Sequence, residues 1–362
     1  MTSRERVMTA FAHEEPDRVP TWCGASPEFW DKAKRELELD DEALRVRFHD
    51  DFRRVFSRYY GPESANPLDH LAEGSVYRTP FGIERSGIGY GQPRSHPLAE
   101  ATLKQLEEHP WPQPEWMDVS HVKEDAMQYA GDYAILGGEW APYWHDAIDL
   151  IGMENFYYKL YDDPEFVDSL LTHIVDFYFE VSRRTFEAAA DALDIFFIGN
   201  DFGSQLGPLV GEELFTRFLL PHLERLIDLG HQYNLKVMLH CCGGFAPLIP
   251  VMIRAGLDGL HAIQPSCVGM ELATLKREFG DKILFNGCID SHHVLIEGNP
   301  QLVREKTEQV IDIMKPGGGF VAGASHDTIL EETPLENVLT MFDTIVEYGM
   351  YKQGSAVPDG RR

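Results

Sequence analysis

Residues 194–244 read DIFFIGNDFGSQLGPLVGEELFTRFLLPHLERLIDLGHQYNLKVMLHCCGG, and this stretch decides the fold. Asp194–Gly199 is an apolar run of strand length. Glu212–Tyr233 then carries Leu214, Phe218, Leu219, Leu223, Leu226 and Leu229 at helical spacing, with a kink expected at Pro221, and Lys236–His240 is a second short apolar run. Strand, amphipathic helix and strand in this order form the βα unit of a parallel sheet. Downstream the pattern repeats. Ala246–Ala255 reads as a helix stopped by Gly256, Gly259–Gln264 as a strand, Met270–Phe279 as a helix and Ile283–Asn286 as a strand. Pro300–Met314 reads as a helix, Phe320–Gly323 as a strand, and Leu335–Tyr348 as a closing helix behind Pro334. Upstream, Val19–Trp22 and Tyr133–Gly137 add strands, 28–48 and 163–188 add helices, and Tyr77–Tyr90 suggests an inserted hairpin.

This count favours a (β/α)8 TIM barrel with an N-terminal elaboration over an open doubly wound sheet. Gly87-Ile-Gly-Tyr-Gly91 lacks the spacing and the strand–helix context of a dinucleotide fingerprint. With no repeat or Ser/Gly linker, residues 1–350 read as one barrel domain, with a hairpin near 77–90 and a tail over 351–362.

Composition narrows the partners. Of 362 residues, 32 are Lys or Arg and 59 are Asp or Glu, for a net charge of −27. Such a surface repels phosphate backbones and anionic membranes, so nucleic acid and membrane are not expected partners. A small-molecule substrate is. Five cysteines, and a charged first 20 residues without the apolar core of a secretion signal, point to the cytoplasm. Oligomeric state is not legible in the sequence.

In a barrel, chemistry gathers where strands end. There stands Leu239-His240-Cys241-Cys242-Gly243-Gly244, in which side-chain alternation sends His240 and Cys242 to one side and Cys241 to the other. An imidazole and a thiolate at this spacing suit zinc, with a third ligand from a neighbouring strand end, Cys288 or His326. A buried cysteine beside a loop-bonding histidine would look the same. Glu139 and Trp140, Asn200 and Asp201, Gln264 and Asp290 also follow strands and are candidates to face substrate, with Asp201, Gln264 and Asp51 to position it or to serve as acid and base groups. Asp50 and Asp51 lie beside Arg53 and Arg54, which are placed to neutralise them locally or to meet an anionic ligand. Cys23 and Cys267 read as packing residues, and His292 and His293 as a solvated helix start.

Taken together, several motifs resemble the uroporphyrinogen decarboxylase superfamily. They are Arg4-Glu-Arg-Val7, His13-Glu-Glu-Pro-Asp-Arg-Val-Pro20, Asp51-Phe-Arg-Arg-Val55, His96-Pro-Leu98, Asn200-Asp-Phe-Gly203, His240-Cys-Cys-Gly243, Gly287-Cys-Ile-Asp290 and Thr333-Pro-Leu-Glu-Asn337. The resemblance spans nearly the whole chain and implies a (β/α)8 barrel. It is closer to the cobalamin-dependent methyltransferase branch than to the true decarboxylases, whose arginine-rich stretch after the first strand is here Cys23-Gly-Ala-Ser-Pro-Glu28. For that branch the resemblance implies zinc on His240 and Cys242, methyl transfer to a thiol or pterin acceptor, and a corrinoid supplied by a partner protein. Where the branch has a late cysteine ligand, this chain offers Ser325-His-Asp327, leaving Cys288 or His326 for the third position. Asp290-Ser-His292 superficially resembles a corrinoid-carrier signature, but Leu295 stands where that signature needs glycine. Two alternatives are a metal-free carboxy-lyase acting on a tetrapyrrole through Asp51 and His326, and a non-catalytic barrel that binds a corrinoid or pterin.

Overall fold

The structure, a computed structural model, describes residues 1–65, 76–87 and 91–351. The chain forms two compact units: one from Met1–Phe52, Gly131–Tyr133 and the chain from Leu272 onward, the other from Arg53–Ala130 and Ala134–Glu271.

The second unit holds four parallel strands in the order β1 (Ala134–Gly137), β2 (Ile195–Gly199), β3 (Lys236–His240) and β4 (Gly259–Ile263). Their register sets Leu136 beside Ile195, and His240 beside both Gly199 and His261. Apart from Lys236 these strands are buried along their length, which is why they read as mainly apolar runs. Helices α1 (Tyr143–Ile151) and α2 (Pro164–Ala189) lie between β1 and β2 in the chain, and α3 (Leu220–Gln232) between β2 and β3. The strand Val76–Arg78 pairs antiparallel with Glu84–Ser86, which also pairs with Gln92–Pro93. Residues 88–90 of the expected hairpin, and 352–362 of the expected tail, lie outside the described residues.

In the first unit, after α4 (Leu272–Phe279), the strands β5 (Leu284–Ile289) and β6 (Phe320–Ala324) are parallel, with Cys288 beside Gly323. Between them runs α5 (Pro300–Met314), entered through Asn299, whose side chain accepts from the Leu302 amide; α6 (Leu335–Tyr348) follows Pro334. The βα alternation is that of the expected α/β class.

Three expected elements differ for local reasons. The helix over Glu212–Tyr233 opens into a wide π turn at Phe215–Leu219 before α3, because Pro221 has no N–H to continue a regular ladder. The helix over 28–48 is two, Pro27–Leu37 and Asp41–Arg47, divided by Glu38 in the left-handed region (φ 55°) and recapped by Asp40. The Val19–Trp22 strand shrinks to a single parallel bridge between Thr21 and Ala322, since Pro20 lacks an N–H and the Thr21 amide goes to Asp51. Among the described residues, no helix is long and apolar enough to cross a membrane.

Candidate active site

The site grows from the end of β3. Side-chain alternation buries Cys241, whose sulfur accepts the Phe202 amide at 3.3 Å, and sets the Cys242 Sγ 3.3 Å from His240 Nε2. Asp201, two residues past β2, completes the group. Its Oδ1 accepts the Cys242 amide at 2.7 Å and lies 3.3 Å from His240 Nε2. Its Oδ2 lies 3.3 Å from His145 Nε2 of α1, which also accepts the Asp201 amide at 3.2 Å. Burial raises the Asp201 pKa, but the neighbouring His145 and His240 imidazoles lower it by more and hold the carboxyl well below the usual range.

The loop after Cys242 is fixed from β4. Gln264 Oε1 accepts the Gly243 amide at 2.7 Å and the Cys267 thiol at 3.6 Å. Gly243 is left-handed (φ 87°), and a Cβ there would stand 2.5 Å from the Gly203 carbonyl carbon, so the turn admits only glycine. Gly199 serves a second close approach: a Cβ on it would fall 1.9 Å from Cζ2 of Trp140. That indole lies with its centroid 5.3 Å from the His240 ring. The Arg54 guanidinium sits over Trp140 and Phe197, 5.2 Å from each centroid.

The sequence candidates therefore divide. Asp201, His240, Cys242 and Gln264 come together, with Trp140 against the imidazole. Glu139 accepts Ser57 Oγ at 2.5 Å, and burial pushes its pKa up against the opposing effects of Ser57 and Arg54. Asn200 is wholly buried and ties backbone to backbone, accepting the Trp144 amide at 2.9 Å and donating to the Ala141 carbonyl at 3.0 Å.

The remaining candidates lie in the first unit. Asp51 is fully buried and receives Ser3 Oγ at 2.6 Å, Arg6 Nη1 at 2.8 Å, Arg18 Nη1 at 2.9 Å and the Thr21 amide at 2.8 Å. Asp290 caps the turn that follows it, accepting the amides of His292 and His293 and facing His293 Nδ1 at 3.0 Å. Cys288 is fully buried; burial pushes its thiol pKa up, against the nearby Lys276 charge. His326 Nδ1 lies 3.1 Å from both the amide and the carbonyl of Thr328.

Two residues of the site escaped the sequence reading. One is His145. The other is His261, wholly buried in β4, with its Nδ1 3.1 Å from His240 Nδ1. The one signal for His261 was an ionisable residue inside an apolar strand.

The nitrogen, sulfur and oxygen donors of His240, Cys242 and Asp201 suit zinc in kind and in spacing. Bonds of about 2.0–2.3 Å at tetrahedral angles place neighbouring donors roughly 3.3–3.8 Å apart, and His240 Nε2 stands 3.3 Å from each of the other two.

The uroporphyrinogen decarboxylase (URO-D) family model matches residues 99–348. Two relatives, each named methylcobamide:CoM methyltransferase MtbA, come from Methanosarcina acetivorans and Methanosarcina mazei. They are 24% and 22% identical over 355 residues, covering 89% of this chain and 93% of each relative. A solved structure described as a methyltransferase from Methanosarcina mazei superposes with a TM-score of 0.64 at 20% identity, over 96% of this chain and 99% of that one. At that identity the likeness shows the fold, which is α/β of the TIM-barrel type.

Proposed function

Because the chain belongs to the uroporphyrinogen decarboxylase (URO-D) family, we propose that it is a methyltransferase of that family. It moves a methyl group between a corrinoid or small methylated substrate and a thiol or pterin acceptor, with zinc held by His240, Cys242 and Asp201. The observation that carries this reading is the convergence of a thiol and a carboxylate oxygen, each 3.3 Å from one imidazole nitrogen. The names of the two relatives support methyl transfer as the chemistry.

Zinc at this site would supply a Lewis acid that lowers the pKa of an acceptor thiol, making the thiolate available at neutral pH. The chain's own groups prepare for that. Asp201 brings an oxygen donor 3.3 Å from the same imidazole nitrogen. His145 faces the far carboxylate oxygen and so turns the near one toward His240. Gln264 pins the loop that carries Cys242, and Trp140 covers one side of the His240 ring against water.

In this reading Asp201 takes the third ligand position, for which Cys288 and His326 were the sequence candidates. Burial drives the Cys288 thiol away from the thiolate form a ligand needs. Asp51, saturated by two arginines, is a structural carboxylate, and the corrinoid arrives on a separate protein.

The test is metal analysis of the purified protein with a methyl-transfer assay from methylcobalamin to a thiol. Close to one equivalent of zinc is expected, and His240→Ala should lose both zinc and transfer. Less than about a tenth of an equivalent, with transfer untouched by His240→Ala, would sink the reading.

A further inference from the structure

We infer that His261 is a positioning residue: it accepts a hydrogen bond from His240 Nδ1 and thereby fixes the tautomer that leaves His240 Nε2 free to bind metal. This rests on the proposed zinc site and extends it to a residue with no place among the three donors.

The count of protons on the two rings fixes which nitrogen donates. The contact between His240 Nδ1 and His261 Nδ1 is 3.1 Å, so one of these nitrogens donates and the other accepts. A neutral imidazole carries one N–H. His240 Nε2 is the nitrogen that faces Cys242 Sγ and Asp201 Oδ1, so it must offer a lone pair to a shared metal. The single proton of His240 then resides on Nδ1, and His261 Nδ1 must be the acceptor. A metal-ligating histidine generally has such a partner on its second nitrogen, and the partner sets both ring orientation and donor strength.

The fold holds the pair in place from several directions. His240 and His261 are register partners on adjacent parallel strands, and the Cys241 amide donates to the His261 carbonyl. The two rings lie 5.2 Å apart by centroid. Phe197 of β2 meets the His261 ring edge-on at 5.4 Å, while Trp140 lies against His240. His261 is wholly buried, so bulk water does not compete for its Nδ1.

The experiment compares zinc affinity, by competition with a chromophoric chelator, and the visible spectrum of the cobalt(II)-loaded protein across wild type, His261→Leu and His261→Asn. Leucine fills space without an acceptor, whereas the asparagine side-chain oxygen falls near the position of Nδ1. Zinc affinity should drop about 10- to 100-fold in His261→Leu, with altered cobalt bands, and return to within about threefold of wild type in His261→Asn. A role in packing alone would not sort the two variants this way. Wild-type affinity in His261→Leu overturns the inference, as does an equal loss in both variants. If His261→Leu fails to fold, His261→Asn decides alone, and a loss of tenfold or more in it overturns the acceptor role. Failure of the underlying zinc site gives a different result, a wild-type protein that takes up no zinc.

Discussion

Asp51 and Asp201 are aspartates of the same reach placed in opposite company. Asp51 has no exposed surface in its side chain and receives Ser3, Arg6, Arg18 and Thr21. Asp201 keeps 32% of its side chain exposed and faces two histidines, beside a thiol that shares His240 with it. Arginine holds its proton at any physiological pH, so the Asp51 cluster is a closed account of charge that nothing else can enter. Histidine and cysteine give up protons, so the Asp201 group can exchange them for a metal. The difference between a carboxylate that holds a fold and one that can do chemistry lies in whether its partners can let go.

The same substitution should therefore read out in opposite places. Asp51→Asn sets a side-chain amide against two arginines and removes the carboxylate they share, leaving Arg6 with Asp17 alone. We expect a loss of about 3–5 kcal/mol of stability, measured by denaturant unfolding, with zinc content per folded molecule unchanged. If Asp51→Asn unfolds at the wild-type midpoint and instead loses methyl transfer, the contrast collapses and Asp51 belongs to the chemistry.

Asp201→Asn should do the reverse. The asparagine oxygen can still accept the Cys242 amide, so the loop stays in place while the anionic donor is gone. Stability should change by about 1 kcal/mol or less. Zinc affinity should fall on the order of 100- to 1000-fold, roughly the share of one ligand in a structural zinc site. An unchanged affinity in chelator competition would remove Asp201 from the donor set and return the third position to Cys288 or His326.

How much of this was legible in the sequence follows from the range of the contacts. His240 and Cys242 could be paired by eye, because strand alternation is a local rule and mixed nitrogen and sulfur donors are an unusual local composition. The bounds of α5, α6 and β3 were likewise written in nearby prolines and apolar periodicity. His145 and His261 were not readable, since the atoms that give them meaning stand 56 residues from Asp201 and 21 from His240. Asp51 shows how proximity misleads. Its neighbours Arg53 and Arg54 turn to aromatic rings, Tyr129 for the first and Phe56, Trp140 and Phe197 for the second, and its charge is met by Arg6 and Arg18 instead.

A third aspartate sharpens the comparison at its weakest point. Asp146 of α1 is buried like Asp51, yet the Arg85 Nη2 lies 3.5 Å away and is shared with Asp149, while Tyr178 donates to Asp146 at 2.5 Å. Burial dominates and pushes its pKa up from 3.8 to about 6, against Arg85 and Tyr178. The sign is thus opposite to that of Asp201. Between about pH 4 and pH 6 the folded protein binds the proton that the unfolded chain has released, so this group's contribution to stability falls as pH rises through that window. Asp146→Asn removes the titration. Its stability relative to wild type should therefore climb by about 2 kcal/mol from pH 4 to pH 6 and level off above, read from denaturant midpoints at a series of pH values. A relative stability that stays flat across the window would mean that Arg85 and Tyr178 fully offset the burial, and that Asp146 is closed in the manner of Asp51.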